Sequence, residues 1–123
     1  MLYNVRERRK YVRLKNKTSL PFYFLIQAKQ LVNKDNGFIF INREKCLKYL
    51  IENNLTIKDV KETILNLTCA DYIKGPEIDR DESGSVWIFK KECNNKIIYI
   101  KLKIENNLNE TKLKCLSIHE DNK

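Results

Sequence analysis

From Ile98 to Ile104 the chain alternates strictly: Ile98, Ile100, Leu102 and Ile104 take every second position, with Tyr99, Lys101 and Lys103 between them. Successive side chains of a β-strand point to opposite faces, so this segment is built as a strand with one apolar face and one basic, aromatic face. Ser85–Lys91 and Lys112–His119 read as two further strands, with loops at Asn94-Asn95 and Asn106–Asn109. Within Ser85–Lys91, Trp87 and Phe89 share one face and Val86, Ile88 and Lys90 the other. Turning the two aromatics inward buries the larger apolar area, which sets Lys90 on the same side as Lys101.

The upstream half has a different period. Leu25, Ala28, Leu31 and Val32 recur at helical spacing across Leu20–Asn33, with Ser19 at the N-cap position. Pro21 falls in the first turn, where its missing N–H costs nothing. Asp35-Asn36-Gly37 is a turn signal and Phe38–Ile41 a short β-like run. A second helix, capped by Asn42, is expected to carry Leu47, Leu50 and Ile51 on one face and to end at Asn53-Asn54. Thr56 with Asp59 three residues on reads as a capping box with Asp in place of Glu, opening a third helix with the stripe Ile57, Val60, Ile64 and Leu67. After Lys74-Gly75-Pro76 the strand period takes over. Helices first and consecutive strands later predict an α+β fold, N-terminal helices packed on a small antiparallel sheet. Residues 1–18 read as a basic, mobile N-terminal arm and residues 19–123 as one domain.

The formal net charge of +8 favours polyanionic partners such as nucleic acid, an acidic membrane surface or an acidic protein. Seven basic side chains and one acid crowd into Arg6–Lys17, where Arg9 and Lys10 are candidate RNA contacts. Cys46, Cys69, Cys93 and Cys115 form no closely spaced pair, and the chain has a single histidine, so zinc ligation is not expected and the cysteines read as reduced packing residues. The acidic stretch starting at Asp79 has Lys90, not Glu, at its twelfth position, which removes a calcium-loop reading. No GxGxxG, P-loop, HExxH or GxSxG pattern occurs. The apolar run Leu20–Ile26 is interrupted by Pro21 and too short for an export signal, and no segment reaches membrane-spanning length, so a cytoplasmic location is expected.

What remains is Lys74, Tyr99, Lys101 and His119. RNA carries its own nucleophile in the 2′-hydroxyl beside each phosphate. A protein can cut it without a metal by stabilising the crowded anionic phosphorane and moving two protons. Fixed cations supply the first effect, and Tyr, His or a neutralised Lys the second. Histidine ordinarily titrates near pH ~6.5, which suits it to proton transfer at neutral pH.

The segments DYIKGPEIDRDESGSVWIFKKE, IIYIKLKI and KCLSIH resemble the MqsR-type toxins of bacterial toxin–antitoxin pairs, in particular a branch with D-Y-x-K-G-P, V-W-x-F, Y-I-K-L and C-I-S-F-H. The likeness runs from about Leu20 to His119, and its second half is the specific part. It implies a RelE-like fold, helices against a small antiparallel sheet. It also implies a ribosome-independent, metal-free and cofactor-free mRNA endoribonuclease held inactive by a co-encoded antitoxin. Carried across by motif, the family's active-site positions fall on Lys74, Tyr99, Lys101 and His119, the last where better-known members have lysine. Lys90 and Lys103 are expected to add RNA contacts. Ile88 follows Trp87 where well-studied members have glutamine, and an isoleucine cannot hydrogen-bond RNA. Two other readings compete: a non-catalytic nucleic-acid-binding module on the same fold, and a docking surface for an acidic protein.

Overall fold

The alternating segment becomes the middle of a five-stranded sheet. The computed structural model describes residues 20–80 and 84–121; Ser19 and the N-terminal arm with Arg9 and Lys10 lie outside them. The strands are β1 (Phe38–Phe40), β2 (Tyr72–Ile78), β3 (Ser85–Cys93), β4 (Lys96–Asn107) and β5 (Glu110–Glu120), in the spatial order β1-β5-β4-β3-β2. β2 to β5 are antiparallel neighbours, whereas β1 lies parallel to β5. The sheet is therefore mixed rather than purely antiparallel, because the Phe38–Ile41 run joins it as a short edge strand ahead of the second and third helices. β2 is not evident as a strand from its sequence: Gly75-Pro76 reads locally as a turn, but an edge strand tolerates a proline that has no N–H to give.

Three helices cover one face. α1 spans residues 20–32, α2 is Glu44–Glu52 and α3 is Ile57–Leu65. From α1, Phe24, Leu25, Ala28, Leu31 and Val32 are buried, and the Phe24 ring stacks on Trp87 with centroids 4.7 Å apart. Asp59 closes the start of α3 as expected, accepting from the Thr56 backbone N–H at 2.8 Å and from its hydroxyl at 3.1 Å. α3 buries Val60 and Ile64, with Leu67 just beyond it, while Ile57 is exposed.

α2 departs from expectation. Its N-cap is Arg43, not Asn42, and Leu47 and Ile51 are exposed. The helix sets Cys46 and Leu50 into the core with Tyr49 packed half-buried against it, and the Ile118 backbone N–H of β5 donates to Cys46 Sγ at 3.3 Å. Beneath the helices, Trp87, Phe89, Ile98, Ile100, Leu102, Leu113, Cys115 and Ile118 form the apolar face of the sheet. That is the parity expected for β3 and β4, and it turns their other residues to the reverse face.

Candidate functional site

Directly paired residues of neighbouring strands share a face, so the strand register lays out the reverse face in rows. One row is Lys90, Tyr99 and His119; the next is Lys74, Ile88, Lys101 and Ser117; the third runs Glu77, Val86, Lys103, Lys114 and Ile39. Lys74, Lys90, Tyr99, Lys101 and His119 thus lie on one surface. Lys74 and Lys101 stand two strands apart across Ile88, about 10 Å between backbones.

Two of these residues reach that surface by irregularities. On β5, Leu113 and Cys115 face the core, and strict alternation would send Ser117 and His119 after them. The register instead shifts between Lys101 and Leu102: Leu102 pairs with Cys115 but Lys101 pairs with Ser117, leaving Leu116 as an extra residue. The bulge reverses the parity of the strand, so that Ile118 goes inward and His119 comes out beside Tyr99. On β2, Tyr72 pairs with Phe89 on the core side, and a shift before Lys74 moves that lysine opposite Ile88 on the reverse side. Gly75 makes this path possible. Its φ of +139° suits glycine, and a Cβ there would stand 2.9 Å from the Val86 carbonyl oxygen.

Tyr99 and His119 are stacked, ring centroids 5.1 Å apart and planes 17° from parallel. His119 Nδ1 lies 2.9 Å from the Glu120 carbonyl oxygen. A carbonyl can only accept, so Nδ1 carries a hydrogen, and Nε2 is the ring nitrogen left to exchange a proton with a substrate. Burial, and then the charges of Glu77 and Asp121, hold the Tyr99 phenol above the usual tyrosine range, with Lys90 opposing them. Tyr99 is therefore protonated at neutral pH and able to donate.

The cations differ in availability. Lys74 is well exposed and meets Glu77 only loosely, at 3.6 Å. Lys101 is half-buried beside them. Lys90 pairs closely with Asp121, Nζ to Oδ2 2.7 Å. Lys103 does not fit the role of an RNA contact: it is 1% exposed and its Nζ is 2.8 Å from Asp79 Oδ2. Alternation places Lys103 on the right face, but the chain returning from β2 carries Asp79 over it, so its charge is neutralised inside the fold. Val86 and Ile88 are also buried on this side, outside the main core.

Asp121, Glu77 and the Glu120 carbonyl are members of the site that the sequence does not announce. Asp121 is the one with a usable signal, since it continues the Ser117, His119 alternation; its N–H bonds to the Ile97 carbonyl. Among the described residues no three His, Cys, Asp or Glu side chains gather into a metal-binding group. Cys46 and Cys115 are buried, and Cys69 and Cys93 are half-buried. No described helix is long and apolar enough to cross a membrane. Comparison with protein-family models, curated proteins and solved structures returns no significant match.

Proposed function

We propose that the reverse face of the sheet is the active surface of a metal-independent RNA endonuclease, the toxin of a toxin–antitoxin pair. The observation that carries this reading is the Tyr99–His119 pair: an imidazole nitrogen left to exchange a proton and a protonated phenol, stacked as cross-strand neighbours among lysines. His119 Nε2 takes the proton of the 2′-hydroxyl as its oxygen bonds to phosphorus. Tyr99 gives its proton to the departing 5′-oxygen as the P–O5′ bond breaks. Lys74 and Lys101 bear on the charge that accumulates on the non-bridging oxygens. The products are a 2′,3′-cyclic phosphate and a 5′-hydroxyl, and solvent returns the proton from His119 to Tyr99. The resemblance to MqsR-type toxins supports the same assignment and supplies the partner, a co-encoded antitoxin protein that keeps the enzyme off mRNA.

A non-catalytic RNA-binding module is the second reading, favoured by Ile88, a buried apolar side chain between the two lysines where a polar reader belongs in the family. One experiment separates them. The full-length protein is incubated with mRNA in excess EDTA and the fragment ends are analysed. We expect cyclic-phosphate fragments, no cutting at a site carrying a single 2′-deoxy substitution, and a loss of at least ~100-fold in rate for His119→Ala with RNA affinity kept. RNA that stays intact but bound leaves the binding module standing and removes the nuclease.

A further inference from the structure

α1 carries two apolar faces. One is the core stripe; directly opposite it, Phe22, Tyr23 and Ile26 are 51%, 67% and 42% exposed, with Leu20 at 54% beside them. The remaining outward positions include Gln27 and Gln30, both uncharged. The one charge in residues 20–32 is Lys29, whose ammonium turns aside to the Leu67 carbonyl at 2.5 Å. A surface helix ordinarily sets charged residues against solvent, and a helix that is apolar all round is buried. In a chain with 33% charged residues, an outward stripe free of charge is a departure that needs a cover.

We propose that a second copy of this chain covers it, the α1 helices of two protomers packing across a twofold axis. Three features point to self-association rather than another occupant. Two molecules of net charge +8 repel, and a neutral stripe is where they can approach at least cost; an acidic partner would be met by cations, and this stripe has none. Gln27 and Gln30 each offer a donor and an acceptor, so each can pair with its own symmetry mate. The same face also holds both halves of a lock: a cavity of about 420 Å³ lined by Leu20, Phe24, Gln27, Trp87 and Ile104 opens beside the projecting aromatics, with Tyr23 at its wall. Knob and groove on one patch give an isologous contact that closes at two. The four apolar side chains offer on the order of 400 Å² per copy, and with the glutamines and groove walls both sides together exceed about 1,000 Å², the size of a specific interface. The stripe lies on the helical side of the molecule, away from Tyr99 and His119, so the inference is independent of the nuclease reading.

Sedimentation equilibrium of the full-length chain tests it, over about 1 to 100 µM, the range in which a modest interface associates. We expect a concentration-dependent dimer, weakened at least ~100-fold by Tyr23→Glu with Ile26→Glu and unchanged by Ile51→Glu on the exposed side of α2. Because Tyr23 and Ile26 are solvent-facing, circular dichroism of the double variant should match the wild type. A monomer at every concentration overturns the proposal, as does a dimer indifferent to the double variant. A monomer in which Tyr23 resists iodination until residues 1–18 are deleted also overturns it, by assigning the stripe to the chain's own N-terminal segment.

Discussion

Cys115 and Tyr99 are both held neutral by burial, with different consequences. The Cys115 thiol is pushed up to about 12, mainly by desolvation and then by the nearby Cys46. A raised folded-state value means the unfolded chain ionises first. The contribution to stability is complete below pH 9, the ordinary value, and is lost as pH rises towards about 12. Urea unfolding of Cys115→Ala across that interval should therefore show a shallower alkaline decline than the wild type; equal declines would refute the assignment. Tyr99 lies on the other face, half-buried, and its retained proton is the one that the proposed mechanism donates. Its identity as a candidate is legible from alternation alone. That it meets His119 is not, because no local pattern announces a bulge at Leu116. Lys103 shows the reverse error: its face is legible, its burial under Asp79 is not.

Elements that depend on their own sequence are the legible ones. The α1 stripe, the Thr56–Asp59 capping box and the alternation of β3 and β4 each reflect neighbours within one turn or one pleat. α2 is less legible because its buried width is set by its packing on β5, which takes in Cys46 and Leu50 and leaves Leu47 and Ile51 exposed. β2 is hidden because its glycine and proline look like punctuation when the pairing strand is not in view. The path of β2 makes Gly75 a sensitive position. Gly75→Ala must move the Val86 carbonyl or the Trp87 backbone, 2.9 and 3.0 Å from the new Cβ, and adopt an unfavourable φ. We expect a loss of about 2 kcal/mol in denaturant unfolding, accompanied by reduced RNA cleavage because Lys74 is displaced with the bulge.

Across the whole molecule, the outward stripe of α1 is free of charge, while the reverse face of the sheet collects Lys74, Lys90 and Lys101. The lysines give a test by salt. If Lys74 and Lys101 contact phosphate, the affinity for single-stranded RNA falls with salt, and Lys74→Ala should reduce the log–log slope by about 0.7. Lys103→Met should leave the slope unchanged, since that ammonium is already neutralised by Asp79. An equal change in slope for both variants would show that Lys103 reaches the RNA after all.

The amino-acid order determined the class of fold, the three helices, every described strand but β2, and the inward face of β3 and β4, because those are properties of spacing along a few residues. Tertiary packing decided which charges remain on the surface and which side chains converge. Lys74 and His119 stand with Tyr99 only because β2 and β5 each slip against a neighbour, and a slip is a compromise between two strands competing to fill one core. Neither strand carries that outcome alone, so it becomes fixed only when the apolar face of the sheet closes under the helices.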